Sequence, residues 1–130
     1  MKFNIYNSEN SKNAFTGKSM IRISRKAGLF TFSKTAGERI GLKEGDRVII
    51  VQDADSPDNF YVHKTANPSG FSLRFKTANY GASFNCAKLA AVILDSTPYK
   101  SVSYILGNAQ DIDGMAYHLI QTSKPLAEML

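Results

Sequence analysis

Short runs of alternating apolar and polar residues dominate this chain, the period expected of strands with one buried face. At 20–24, Ile21 and Ile23 alternate with Arg22 and Ser24, which predicts a strand. A second strand follows at 28–32, where Phe30 and Phe32 share one face, and the turn between them holds Arg25, Lys26, Ala27 and Gly28. Ser33 is an N-cap residue type and Gly41 a helix stop, so a short helix running to Ile40 fits between them. Lys43-Glu44-Gly45-Asp46 reads as a tight polar turn. The β-branched run at 47–52 predicts a strand, the polar stretch 53–59 a hairpin loop, and 60–64 the returning strand.

The same order then recurs. Residues 65–70, with Pro68 and Gly70, read as a linker. Strands are expected at 71–76 and 81–84, then a helix at 86–94 capped by Asn85 and broken at Ser96-Thr97-Pro98. A last hairpin is expected from 101–106 and 115–121, looping through 108–114, and Pro125 suggests a helical turn in the tail. A shift of 52 positions brings Arg22 onto Arg74, Phe32 onto Phe84 and Leu42 onto Leu94. The expected fold is therefore mostly β, of the α+β kind: a small pseudo-two-fold β-barrel made of two ββαββ units with one short helix each. The units span 20–65 and 72–122, joined by 66–71 and followed by a tail at 123–130. The first 19 residues read as a basic arm without period, with an edge strand at 3–6.

The 130 residues, 43% of them hydrophobic, suffice for a core of one domain. The longest apolar run, 89–94, is far too short to cross a membrane, and no signal-peptide core is seen. Cys86, the single cysteine, excludes an internal disulfide. A cytoplasmic protein with no membrane partner is the expectation. The formal net charge is +5, and it is concentrated: residues 1–34 carry five lysines and two arginines against Glu9 alone. Such a one-sided excess is the footprint of polyanion binding, and equally of a solvated basic edge.

Residues 40–48, Ile-Gly-Leu-Lys-Glu-Gly-Asp-Arg-Val, preceded by the strand and short helix from Gly28, resemble the swapped-hairpin family of AbrB, SpoVT and MazE over about 45 residues. The resemblance implies a non-enzymatic DNA-binding regulator or antitoxin. In that family two chains interlock into one barrel, and basic side chains of the first hairpin and helix meet DNA. Arg22 stands where the family carries an arginine. Leu29 replaces its usual basic residue after the turn glycine, Ser33 its helix-opening proline, and Gly37 and Glu38 its helix arginines. Arg25, Lys26, Lys34 and Arg39 would have to substitute.

The expected function is a DNA-binding transcriptional regulator or mobile-element accessory protein, contacting duplex through the first hairpin. Its candidate contacts are Lys18, Arg22, Arg25, Lys26, Lys34, Arg39 and Arg74, with Arg22 and Arg25 entering the groove and the lysines holding phosphate. Two alternatives remain: a structural or protein-interaction module, and a single-stranded nucleic-acid binder stacking bases on Phe30, Phe71, Tyr80 or Phe84. Association into a homodimer stays open. No catalytic, cofactor or metal site is expected. His63 and His118 lack further ligands, Cys86 lacks a triad, and the Asp53–Asp58 stretch lacks the glycine and glutamate of a calcium loop. Gly28, Gly41 and Gly45 match no phosphate-binding spacing.

Overall fold

The computed structural model describes residues 2–3, 18–75, 81–95 and 97–129, the last three of these by backbone alone. The edge strand expected at 3–6 and the arm at 6–19 fall mostly outside them, as does Tyr80.

The first unit contains strands β1 (Met20–Ser24), β2 (Leu29–Phe32), β3 (Arg47–Gln52) and β4 (Phe60–Thr65), with helix α1 (Lys34–Ile40) after β2. In the second unit the first strand is split into β5 (Phe71–Ser72) and β6 (Arg74–Phe75), followed by β7 (Ala82–Asn85), α2 (Ala87–Ile93), β8 (Ser101–Ile112) and β9 (Met115–Ile120). Strand β10 (Ala127–Met129) is the last described element.

Their antiparallel pairing carries the repeat into three dimensions. Hairpin β1–β2 sets Arg22 opposite Thr31, and hairpin β6–β7 sets Arg74 opposite Ser83. Both residues of the second pair lie 52 positions after those of the first. Thr31 and Ser83 are themselves partners in the β2–β7 ladder, so a pseudo-two-fold axis passes through that pair. The outer pairings are reciprocal. Strand β1 of the first unit joins β8 of the second, and β5 of the second joins β3 of the first. The last strands of the units, β4 and β9, pair with each other. Only Leu73 separates β5 on β3 from β6 on β7, and the sheet curls into a nearly closed barrel.

Alternation selects the core. Ile21, Ile23, Phe30, Phe32, Phe84, Val102 and Tyr104 are buried inside one half of the barrel, and Val48, Val62, Leu106 and Ile120 inside the other. Phe30 and Phe84, opposite one another across the β2–β7 ladder, stack at 4.7 Å between centroids. Phe71 stacks on the other side of Phe84 at 4.5 Å. The units also seat each other's helix entries. A Cβ on Gly28 would lie 2.3 Å from the Ala87 backbone at the start of α2, and one on Gly81 would lie 2.0 Å from the carbonyl of Phe32 before α1.

Three elements differ from expectation. Strand β8 runs to Ile112, with an irregularity between Leu106 and Ala109, because the turn is the two-residue Asp113-Gly114 and not a loop through 108–114. The tail forms a strand on β8, with Ala127 opposite Ser103, where a helical turn was expected. Asn85 ends β7, and Cys86 takes the N-cap position of α2 without a side-chain cap bond.

Candidate nucleic-acid interface

Strands β8, β1, β2, β7 and β6 lie side by side, and cross-strand partners point to the same face. Since Ile21, Ile23, Phe30 and Phe84 point inward, Arg22, Ser24, Thr31 and Ser83 point outward. One row across this outer face reads Ser103, Arg22, Thr31, Ser83, Arg74. The next includes Ser101, Ser24, Leu29 and Asn85. The face is thus lined by small hydroxyl groups with two exposed arginines related by the pseudo-axis. At a strand spacing of about 4.8 Å, three steps separate their backbones by roughly 14 Å. No carboxylate stands in these rows among the described side chains.

Both guanidinium groups are oriented by short polar residues. Arg22 donates to Ser101 Oγ at 3.2 Å. Arg74 donates to Asn85 Oδ1, and Asn85 Nδ2 donates to the Ala27 carbonyl at 3.0 Å. Each arginine keeps further donors for a ligand, since a guanidinium carries five N–H groups. The hydroxyl rows were not singled out from the sequence, and Asn85 was expected there as a helix cap and not as a partner of Arg74. Their signal was present in the polar positions that alternate with the core apolar ones.

The expected lysines are not one cluster. Lys18 and Lys34 meet at the end of the hairpin where Ser33 ties three segments together. The Ser33 hydroxyl donates to the Lys18 carbonyl at 2.8 Å and accepts from the N–H groups of Met20 and Ala36. Lys26 lies at the opposite end, in the turn. There the second unit adds two exposed lysines that the sequence reading passed over. Lys88 follows the Ala87 that packs on Gly28, and the Lys100 carbonyl accepts from the Arg25 N–H at 2.8 Å. Arg39 is exposed on α1, in its last turn.

Arg25 has different work from the groove-entering role expected of it. Its Nε donates to the Tyr99 carbonyl at 2.6 Å, and its Nη2 donates to those of Leu94 and Thr97 at 2.6 and 2.9 Å. The guanidinium holds the loop from α2 to β8 through Nε and Nη2, three of its five N–H groups.

The remaining candidates resolve individually. Phe30 and Phe84 are fully buried, Phe71 is half-buried against Phe84, and neither core ring can stack on a base. His118 lies opposite Val62 on the inner face, buried, with Nδ1 3.0 Å from the Gly107 carbonyl. His63, one position on from Val62, faces outward and stacks on Tyr117 at 4.5 Å. The two imidazoles point to opposite faces of the sheet and do not converge, and no group of metal-type ligands gathers among the described residues. Cys86 is half-buried against the core. Asp53 Oδ1 accepts from the Asp55 N–H, a local turn bond. Gly41 closes α1 and Gly45 lies in the turn before β3.

No described helix is long and apolar enough to cross a membrane. Compared with known proteins, the chain matches no family model, no curated protein and no solved structure.

Proposed function

We propose that this protein binds duplex nucleic acid, without enzymatic chemistry, through the outer face of strands β1, β2, β7 and β6, in a regulatory or accessory role. The observation that carries the reading is the placement of exposed Arg22 and Arg74 on one cross-strand row, symmetric about half-buried Thr31 and buried Ser83, on the outer face of the sheet. Their separation of roughly 14 Å is close to the width of about 12 Å of a major groove. Lysines at both ends of the hairpin, Lys18 and Lys34 at one and Lys26, Lys88 and Lys100 at the other, supply phosphate contacts along the duplex. Arg39 adds a contact from α1, and Arg25 shapes the site from behind. The reciprocal pairing of the two units supports kinship with the AbrB-like swapped-hairpin proteins, with both halves of the barrel in one chain.

A second reading, a protein-interaction module, is favoured by the exposed apolar pair at the tip of the β8–β9 hairpin. Ile112 and Met115 face each other there and are 42% and 53% exposed. The two readings separate in a fluorescence-anisotropy titration of labelled duplex and single-stranded oligonucleotides at low and moderate salt. The nucleic-acid reading predicts saturable, salt-sensitive binding with duplex preferred. Absence of binding at low salt sinks it and leaves the basic face as a solubility feature. A preference for single strands would move the site away from the groove-spanning arginines.

A further inference from the structure

At the C-terminal end of α2 the barrel carries a half-open cavity of about 420 Å³, bounded by the loop after β3 and the turn after β9. Its lining is apolar at Phe60, Val92, Ile93 and Tyr104. Phe60 and Ile93 belong to the core, whereas Val92 is 47% exposed. The polar lining divides by chemistry. Three side-chain donors are directed into the protein: Gln52 Nε2 donates to the Pro57 carbonyl at 2.7 Å, Thr97 Oγ1 to that of Leu94 at 2.8 Å, and Thr122 Oγ1 to that of Asp58 at 3.0 Å, while Ser123 also lines the cavity. Its strongest acceptors are not so engaged. Asp58 and Asp95 line the same cavity, both are exposed, and neither carboxylate has a hydrogen bond or ion pair to a described residue.

A cavity with an apolar floor and two aspartates whose carboxylates meet no donor among the described residues selects a ligand with the complementary order: an aliphatic stem ending in a cationic donor. We propose that this cavity is a binding site for an alkylammonium or alkylguanidinium group, the chemistry of a lysine or arginine side chain and of a free aliphatic amine. The stem covers Val92 and Ile93 and displaces water from apolar surface, while the cation takes the acceptors of Asp58 and Asp95. The site is separate from the basic face. Its acidic rim is local in a chain of net charge +5, so long-range attraction of cations does not account for selectivity there.

The test is an NMR titration of the full chain, following backbone amides, with n-pentylammonium, n-butylguanidinium, neutral pentanol and pentanoate. The proposal predicts saturable shifts for both cations centred on Val92, Ile93, Asp95 and Thr122. In the double variant Asp58→Asn/Asp95→Asn, cation affinity falls about tenfold, the scale of two partly exposed charge contacts, while pentanol binds both proteins alike. Both positions are exposed and the changes are isosteric, and an unchanged amide spectrum elsewhere verifies the fold. Equal binding of pentanol and pentylammonium to the wild type, cation binding indifferent to the double variant, or no shift with ligand at tens of millimolar would each overturn it. Lysine amide capped at its α-amine, run against a free diamine, distinguishes a partner's side chain from a small amine as the source.

Discussion

Charge at a single residue does not reveal its task. Arg22 and Arg25 lie three positions apart on the same hairpin, yet one faces solvent on the hydroxyl-lined sheet and the other ties three carbonyls together. Losing a charged donor from such carbonyls costs about 1–3 kcal/mol. Arg25→Ala is therefore expected to lower stability to chemical denaturation by that amount, and nucleic-acid affinity measured on the remaining folded protein to change little. A stable Arg25→Ala protein that no longer bound would instead restore Arg25 as a contact. Asp46 makes a prediction of another kind. The Lys43 N–H, at 2.7 Å, chiefly holds its carboxyl below the ordinary value of 3.8; desolvation opposes it, and Lys64, at 3.3 Å, adds to the lowering. A carboxyl lowered on folding contributes stability above its unfolded value, and that contribution is lost as pH falls through the folded one. Acid denaturation profiles should therefore show a contribution fading below about pH 4 that Asp46→Asn removes. Identical profiles for the two proteins would refute it.

At the scale of elements, period-two alternation made most strands legible. It placed Phe30 and Phe32 together on one face, and Ser33 and Gly41 bounded α1 as their chemistry suggests. What stayed illegible depended on partners distant in sequence. Gly107 and Asn108 resemble the start of a loop, but pairing with β9 carries β8 through them to the Asp113-Gly114 turn. The tail residues Ala127, Glu128 and Met129 suit a helix, yet three residues cannot nucleate one, and the first half of β8 has an edge that β9 leaves unpaired. Within the candidate site, the basic residues were legible as a composition and their division between the two ends of the hairpin was not. The tightest local constraint is at Gly28, whose φ of +59° and contact with the Ala87 backbone leave no room for a side chain. Gly28→Ala should cost about 3 kcal/mol or more, read as a lower denaturation midpoint. An unchanged midpoint would mean that α2 does not sit on that turn.

For the whole molecule, the repeat detected as a shift of 52 positions is the organising fact. The sequence offers five basic candidates in the first unit and aligns Arg74 with Arg22, and the pairing of β2 with β7 sets the two arginines on one row. Because strands of both units build the nearly closed barrel within one chain, one copy is expected to suffice for folding. Its denaturation midpoint should be independent of protein concentration, whereas a midpoint that rises with concentration would reveal an obligate oligomer. The central claim is that Arg22 and Arg74 form one nucleic-acid contact row, and the most direct measurement is the salt dependence of duplex affinity for wild type, Arg22→Ala, Arg74→Ala and the double variant. Each arginine removed is expected to weaken binding by about 1–3 kcal/mol, and the double variant by more, while the slope of log affinity against log salt, set by the lysine–phosphate contacts, changes little. Affinities that match the wild type in all three variants would contradict the account.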